Sequence, residues 1–445
     1  PLTGLLGKSM ASGDFGIQLK KAGFDGVIIK GKASEPVYLS IIDGKAELRD
    51  ASHLWGKGVL ETVETIKKEL NDENIRVAAI GPAGENLVKI AAIVTDQRRV
   101  FGRTGLGAVM GSKKLKAIAV KGTKEIEVAD PEKLKELNKK HLTVAPQTPR
   151  GGGLRAYGTG GGVLTGAQKG NLPIKNWTKG VFEGAEKISG QTIMEKYKLE
   201  SGHSRCGEEV LCSIQCERRI QVKDEKYGEY KGKGPEYETL GALGSLIMVD
   251  DPVVIAVANN LCDDYGLDTI STGGVIAWAM EAYEKGILTE KDVGFPLKWG
   301  DGETVLKLIH MIAKREGFGN ILAEGSKRAA EIIDKGSEKF AIHVKGMELP
   351  MHHPRLFHTM GLAYATSNRG ACHLQGMGYT VESGYLLPEY GISEIPKDIP
   401  SKVRAIVIHQ DLCAFTDAVG LCKFAVFGII DFNHIAEAVS YTHLT

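Results

Sequence analysis

The chain has 445 residues, of which 42% are hydrophobic and 25% charged, and its formal net charge at pH 7 is +1. This length exceeds what one hydrophobic core usually organises, so we expect two or three domains. The near-neutral charge gives no indication of a nucleic-acid or membrane partner, and no run of ~18 uncharged apolar residues predicts a transmembrane helix.

The first 128 residues predict a β-rich domain with one helix. Alternating or β-branched runs predict strands over residues 27–30, 37–42, 46–49, 77–80, 89–94 and 116–120. Asp43-Gly44 predicts a hairpin turn between two of them, and residues 59–70 predict a helix. Since the chain starts at Pro1 rather than at a methionine, we expect both ends to be cut and this domain to be incomplete at its N-terminus.

Glycines are concentrated between Gly102 and Gly111. The spacing fits neither a Walker loop nor the dinucleotide fingerprint, since Met110 occupies the third glycine position of the latter. Backbone amides freed by glycine can bind phosphates, and Arg103, Lys113 and Lys114 would favour that. A bulged turn between strands explains the glycines equally well.

From Asp130-Pro131, a typical helix start, the sequence is mostly helical. We predict a helical domain over residues 129–345 and a second over 346–445, incomplete at its C-terminus. The fold class is therefore multidomain α+β, with a β-rich domain followed by two mainly helical ones. Residues 150–162 hold seven glycines and predict a flexible link or a loop that faces a cofactor.

Three of the seven cysteines, Cys206, Cys212 and Cys216, lie within eleven residues. This spacing suits an iron–sulfur cluster better than zinc, which prefers paired C-x₂-C knuckles. A four-iron cluster needs a fourth thiolate, and Cys422 is the best candidate because it lies in a repeated motif. The other cysteines sit beside apolar residues and predict buried core thiols: Cys262, Cys372 and Cys413.

The repeated motif is D-x-x-G-L, at residues 263–268 and again at 417–422. Each copy follows an apolar helical run, and glycine at the fourth position suits the left-handed residue that ends a helix. Asp268 can cap the next helix. Two ordinary helix ends would explain either copy alone, but the second copy carries Cys422 at its bend.

Three sets of polar residues have ordinary explanations from the sequence alone. Glu236 and Glu238 precede an apolar helix and are explained by charge at a helix N-terminus. His373 follows a short Gly-Ala-Cys loop, where a lone histidine is usually structural. The histidines near Pro354 predict solvent-facing side chains, although they could bind a metal: His352, His353 and His358.

Taken together, these segments resemble the aldehyde:ferredoxin oxidoreductase family over nearly the whole chain. The resemblance rests on the order of five motifs. They are residues 102–117 (GRTGLGAVMGSKKLKA), 234–239 (GPEYET), 369–373 (RGACH) and the two D-x-x-G-L motifs, which we call the first corner (263–268) and the second corner (417–422).

The resemblance implies a tungsten or molybdenum ion held by the dithiolene sulfurs of two pterins between the domains. By their match to the motifs, Asp263, Leu267 and Asp268 would bind one pterin, and Asp417 and Leu421 the other. The backbone near Ala108 would lie by the pterin phosphates and their magnesium. The [4Fe–4S] cluster would be bound by the four cysteines named above: Cys206, Cys212, Cys216 and Cys422.

The resemblance also implies an activity, the oxidation of a small aldehyde to a carboxylic acid. Glu238 would take a proton as water attacks the carbonyl carbon, and His373 would donate a hydrogen bond to the aldehyde oxygen. Electrons would leave through the cluster to ferredoxin or another electron-transfer subunit, in the cytoplasm, and a homodimer is possible. The alternatives are the tungsten subunit of a benzoyl-CoA reductase-like enzyme and a non-catalytic electron-transfer subunit.

Three departures from the family pattern bear on these expectations. The family spaces its first cysteines as C-x₂-C-x₃-C, but Glu209 stands at the first position and Cys206 lies three residues earlier. We expect Cys206 to serve instead. Met10 stands in the first pterin loop where the family often has Asn. The helix before the first corner lacks an E-x-x-H pair, so we predict no iron site shared between subunits.

Overall fold

A computed structural model describes residues 1–96, 98–210, 212–426 and 432–442. Its strands form a six-stranded sheet, a three-stranded sheet and a two-stranded ribbon. In chain order the strands are β1 Val37–Ile42, β2 Lys45–Asp50, β3 Arg76–Ala79, β4 Ile93–Thr95, β5 Val100–Phe101, β6 Leu115–Lys121, β7 Lys198–Ser204, β8 Glu217–Asp224, β9 Gly228–Lys233, β10 His343–Val344 and β11 Met347–Glu348.

The helices alternate with loops through the rest of the chain. In chain order they are α1 Phe15–Lys21, α2 Val59–Glu69, α3 Pro82–Glu85, α4 Leu106–Ser112, α5 Pro131–Val144, α6 Pro149–Tyr157, α7 Gly162–Lys169, α8 Gly190–Tyr197, α9 Tyr237–Ala242, α10 Pro252–Tyr265, α11 Thr269–Glu284, α12 Glu290–Val293, α13 Gly302–Lys314, α14 Gly319–Leu322, α15 Ser326–Ile333, α16 His358–Thr366, α17 Gly378–Glu382, α18 Ile399–Ala418, α19 Lys423–Val426 and α20 Phe432–Thr442.

The six-stranded sheet forms the N-terminal part of the fold, in the order β2-β1-β6-β3-β4-β5. Asp43 and Gly44 both have positive φ, as a two-residue hairpin turn between β1 and β2 requires. Helix α2 packs Val59, Val63 and Ile66 against one face of the sheet. The predicted α+β class, the hairpin and this helix are confirmed.

The strand predicted over residues 27–30 is wrong. These residues form no strand, and Ile28 is 86% exposed. The six-stranded sheet does not include this segment, so its β-branched residues are not paired into a sheet despite their strand propensity.

Two further expectations about the middle of the chain need correction. The glycine-rich residues 150–162 are mostly helical rather than a flexible link or a loop, because α6 covers most of them and α7 begins at Gly162, and whether they face a cofactor stays a prediction. Gly151 and Gly160 pack so closely on other segments that a larger side chain would collide with them. The mostly helical region also contains an antiparallel sheet, β7-β8-β9, that the sequence did not indicate.

The largest hydrophobic core runs from the N-terminal part into the helices. It joins Leu2, Ile90 and Ala108 to the apolar faces of α10, α11 and α13, with Trp278 fully buried at its centre. Division of the chain at residues 128 and 345 stays a prediction.

No single helix among the described residues is long and apolar enough to cross a bilayer. Two consecutive segments, Tyr237–Ile247 and Pro252–Tyr265, reach that length and apolarity only when taken together, and they meet at 118°.

Residues 102–111, the glycine segment that was predicted to be a loop or turn, lead into helix α4 and form most of it. Gly105 adopts φ +79° before it, and Gly107 and Gly111 lie against the backbones of Ala92 and Gly84. The absence of a side chain therefore lets α4 approach its neighbours closely. Close backbone packing explains Gly107 and Gly111, and phosphate binding near this helix stays a prediction.

We expect Gly111→Ala to lower the free energy of unfolding by about 1–3 kcal/mol, because the new Cβ would overlap the carbonyl of Gly84. The measurement is urea denaturation followed by circular dichroism. Gly153→Ala is the matched control, since Gly153 lies in α6 with nothing within 4 Å of an added Cβ. Its stability should stay the same or rise, and equal losses in both variants would contradict the packing argument.

Candidate functional site

Glu238 lies beside two histidines in a largely buried cluster, which we call the pocket. It occupies the first turn of α9, where the backbone N–H of Met351 donates to its Oε2 at 2.8 Å. Its Oε1 lies 3.4 Å from His352 Nε2 and 3.6 Å from His373 Nε2. The three side chains are 15%, 11% and 13% exposed respectively, so the cluster is largely shielded from water.

Burial determines the protonation of this cluster. It raises the pKa of Glu238 to about 7, against the hydrogen bond from Met351 and the positive charge of Arg103. It lowers the pKa of His352 to about 3 and that of His373 well below its usual value. At neutral pH both imidazoles are therefore uncharged, and Glu238 titrates close to physiological pH, as a general base requires.

The expectation that His352 faces solvent is wrong. Its ring stacks between those of Tyr237 and Tyr379, at centroid distances of 4.9 and 4.3 Å. His353 is half-buried and His358 is exposed. No motif or spacing in the sequence links position 352 to position 238, so pattern reasoning missed His352.

Arg103 joins the N-terminal part of the fold to this pocket. Its buried guanidinium donates to the carbonyl oxygens of Ala371, at 2.6 Å, and of Glu348, and it pairs with Asp268 Oδ2 at 3.4 Å. These partners lie close in sequence to His373 and Met351, so Arg103 fixes the segments that carry the pocket. Lys113 and Lys114, which would favour phosphate binding, donate to the carbonyls of Gly31 and Ser34.

The first D-x-x-G-L corner is the predicted helix–turn–helix bend. Gly266 ends α10 with φ +70°, and Asp268 caps α11 by accepting the N–H groups of Ile270 and Ser271. Asp263 is buried near Asn259, and burial raises the pKa of its carboxyl. Leu267 is buried and pairs with Ala91, next to the glycine segment that contains Ala108.

The second corner is built in the same way. Gly420 has φ +74° just beyond α18, and Leu421 is 37% exposed. Asp417 is ion-paired with Lys8, at 2.6 Å, and with Lys423. Burial alone would raise the pKa of Asp417, but hydrogen bonds from the two lysines outweigh it and lower that pKa, so the carboxylate stays charged.

The structure brings the four predicted cluster cysteines into one neighbourhood. Cys206, Cys212 and Cys216 lie on an irregular segment between β7 and β8, within electrostatic range of Cys422. The thiol of Cys206 donates to the sulfur of Cys212 and lowers the pKa of Cys212. The remaining cysteines of the described chain are buried core thiols, as predicted.

The orientation of Glu209 bears on the altered cysteine spacing. Its carboxylate binds Gln18 and Lys21 of helix α1, whereas Arg99 Nε donates to the backbone carbonyl of Cys206 at 3.0 Å. The side chain at the family's usual cysteine position therefore points toward α1, while the Cys206 thiol faces Cys212. This arrangement supports Cys206 as the replacement ligand.

The residues present suit the groups that the resemblance implies. Within the described ranges no three His, Cys, Asp or Glu side chains converge as ligands of one metal ion would, but each thiolate of a four-iron cluster binds a different iron. Several buried polar atoms around the pocket and the first corner lack a partner in the described chain: Thr104 Oγ1, Glu238 Oε1, Ser271 Oγ and His373 Nδ1. Such atoms are the groups that a polar cofactor or substrate would satisfy.

Two family models match almost the entire chain. The model described as "Aldehyde ferredoxin oxidoreductase, N-terminal domain" matches residues 1–122, and "Aldehyde ferredoxin oxidoreductase, domains 2 & 3" matches residues 133–443.

Curated relatives and a solved structure agree with these matches. The tungsten-containing aldehyde ferredoxin oxidoreductases of Pyrococcus furiosus and Thermococcus kodakarensis are each 44% identical over 433 residues, covering 96% of this chain and 69% of theirs. The BamBC active-site complex of benzoyl coenzyme A reductase with 1,5-dienoyl-CoA superposes with a TM-score of 0.78 at 29% identity. That match covers 95% of this chain and 69% of the solved one.

We expect Arg103→Met to cost about 3–5 kcal/mol of unfolding free energy, because it leaves Asp268 buried without its cation and two carbonyls without a donor. Chemical denaturation of both proteins measures the difference. Arg355→Met, at an exposed position, is the control and should change stability by less than about 0.5 kcal/mol. Similar losses for the two variants would show that Arg103 does not hold the segments together.

Proposed function

The chain belongs to the aldehyde ferredoxin oxidoreductase family, and from that premise we propose that it oxidises aldehydes to carboxylic acids at a tungsten bis-pterin centre, passing the electrons out through a [4Fe–4S] cluster. The observation that carries this proposal is the position of Glu238, whose largely buried carboxyl group lies 3.6 Å from His373 and within electrostatic range of Asp268 in the first corner. Retention of this pair favours a catalytic chain over an electron-transfer subunit.

The two corners would hold the cofactor. Asp263, Leu267 and Asp268 would bind one pterin and Asp417 and Leu421 the other, since a carboxylate accepts two parallel hydrogen bonds from the donor edge of a pterin. The phosphates and a magnesium ion would lie near Ala108.

The pocket residues would carry the proton chemistry. The Glu238 carboxylate would take a proton from water as the water oxygen attacks the carbonyl carbon, and neutral His373 would donate a hydrogen bond to the carbonyl oxygen as it gains charge. The bound tungsten centre supplies the two-electron acceptor that oxidation to the acid requires. Enclosure of Glu238, His352 and His373 keeps bulk water from competing for these protons.

The cluster would connect the pocket to an electron acceptor. Cys422 is the last residue of the second corner, so the cluster and a pterin would share one turn of chain. Ferredoxin, or another electron-transfer subunit, would take the electrons in the cytoplasm. A homodimer stays a prediction.

We expect Glu238→Gln to lower kcat for aldehyde oxidation by about a hundredfold or more, because the amide cannot accept the proton. In the unchanged protein kcat/KM should fall as the pH drops through about 7, where Glu238 becomes protonated. Viologen reduction by an aldehyde, measured without oxygen, tests both.

Glu236→Gln is the matched control, because Glu236 lies two residues away and bonds to Thr159 outside the pocket. This variant should retain activity, and both variants should retain tungsten and iron. Full activity in Glu238→Gln would overturn the assigned base. Tungsten and iron without oxidation of any aldehyde by the unchanged protein would favour a reductase related to benzoyl-CoA reductase.

Cys206→Ala should lower the iron content from about four per chain, since a four-iron cluster needs one thiolate for each iron. Elemental analysis of anaerobically purified protein measures the loss. Cys262→Ala, which removes a buried core thiol of α10, should leave iron unchanged. Four irons in Cys206→Ala would show that another group completes the cluster.

A further inference from the structure

His352 is held in one tautomer by a chain of hydrogen bonds that begins at the backbone. The N–H of His353 is shared between two oxygens of Asn171, the backbone carbonyl at 2.9 Å and the side-chain Oδ1 at 3.1 Å, and the second contact favours one orientation of the Asn171 amide. The Nδ2 of Asn171 therefore faces His352 Nδ1 at 3.0 Å and the hydroxyl oxygen of Tyr237 at 3.1 Å. A flipped amide would place Nδ2 against the His353 N–H, with two donors face to face.

The hydroxyl of Tyr237 confirms this direction. It donates its own hydrogen to the Met351 carbonyl at 2.8 Å, so it can only accept from Asn171. Both amide hydrogens of Asn171 are thus assigned, and one of them requires the lone pair of His352 Nδ1. A neutral imidazole with Nδ1 as acceptor carries its hydrogen on Nε2.

The Nε2–H of His352 faces the carboxylate of Glu238. The two atoms are 3.4 Å apart, which is a contact rather than a formed hydrogen bond, and Glu238 Oε1 accepts no hydrogen bond from the described residues. Contacts of this kind in a site without substrate typically tighten into hydrogen bonds when a substrate completes the site. Stacking between Tyr237 and Tyr379 leaves the imidazole little freedom to turn away.

We propose that His352 is a positioning residue for Glu238, holding a hydrogen on Nε2 and donating it to Oε1 so that the carboxylate is kept charged and aimed at the reacting water. This inference rests on the proposed function. With Met351 bonded to Oε2, each carboxylate oxygen then has one donor, supplied by consecutive residues of one loop. His373 is left free to use its hydrogen on the substrate oxygen.

The test distinguishes loss of the hydrogen-bond donor of His352 from loss of its aromatic ring. His352→Phe keeps an aromatic ring between Tyr237 and Tyr379 but has no donor, whereas His352→Gln keeps an amide donor and loses the ring. Other groups that face Glu238 are the same in both variants: Tyr237 on its own helix, His373, Tyr364 on α16, Tyr379 on α17, Arg103 and Asp268.

Two readouts are needed, one of them independent of turnover. The first is infrared titration of ¹³C-labelled glutamate carboxyl groups, with Glu238→Gln identifying the band. The second is the acidic limb of kcat/KM for an aldehyde. In His352→Phe we expect both midpoints to rise by about one pH unit, since loss of a bond to the charged form disfavours that form, and in His352→Gln both should stay within a few tenths of a unit.

Unchanged titration midpoints in His352→Phe, or equal shifts of the midpoints in both variants, would overturn the proposal in favour of ring packing. Should His352→Phe fail to fold, NMR of the unchanged protein with ¹⁵N-labelled histidine still decides: a hydrogen on Nε2 of His352 supports the proposal, and one on Nδ1 overturns it. Because the infrared and NMR readouts need no turnover, absence of aldehyde oxidation would count against the proposed function alone.

Discussion

The site depends on one buried cation. The guanidinium of Arg103 lies away from water, where each unmet N–H is costly, so its acceptors must come from the protein itself. They come from three distant segments, at Asp268, Glu348 and Ala371. These segments lead directly into the first corner and into both histidine-bearing loops. The hydrogen bonds that they make to Arg103 therefore also set the distances around Glu238. The N-terminal sheet and the helices are thereby held in the arrangement that the pocket needs.

Features governed by neighbouring residues could be predicted from the sequence. The Asp43-Gly44 hairpin, the helix that begins at Val59 and the two corners depend on turn chemistry and hydrophobic period over a few positions, and the chain adopts them as expected. The strand expected at residues 27–30 failed because a strand also needs a pairing partner, which local composition does not reveal. Glycines at 151 and 160 likewise respond to close packing from other segments, so a run that reads as flexible is largely helical.

The pocket itself was predictable only through resemblance. Glu238 and His373 carry no distinctive spacing, and sequence chemistry alone favoured a helix charge and a structural histidine. The place of His352 beside Glu238 was missed, because its surroundings depend on Asn171, which is far away in the chain, and on aromatic rings from two helices. Polar networks of this kind are set by tertiary contacts, and neither residue type nor periodicity encodes them.

The placement of the four thiols also bears on how the protein matures. Three come from the segment before β8 and the fourth from the far side of the second corner, so a cluster bound by all of them would close a loop of about two hundred residues, at an entropic cost that rises only slowly with length. A bound cluster would thus act as a crosslink that joins the last helices to the rest of the fold. Oxidative loss of the cluster would remove that crosslink and free the second corner. Damage by oxygen would therefore cause local unfolding as well as loss of electron transfer.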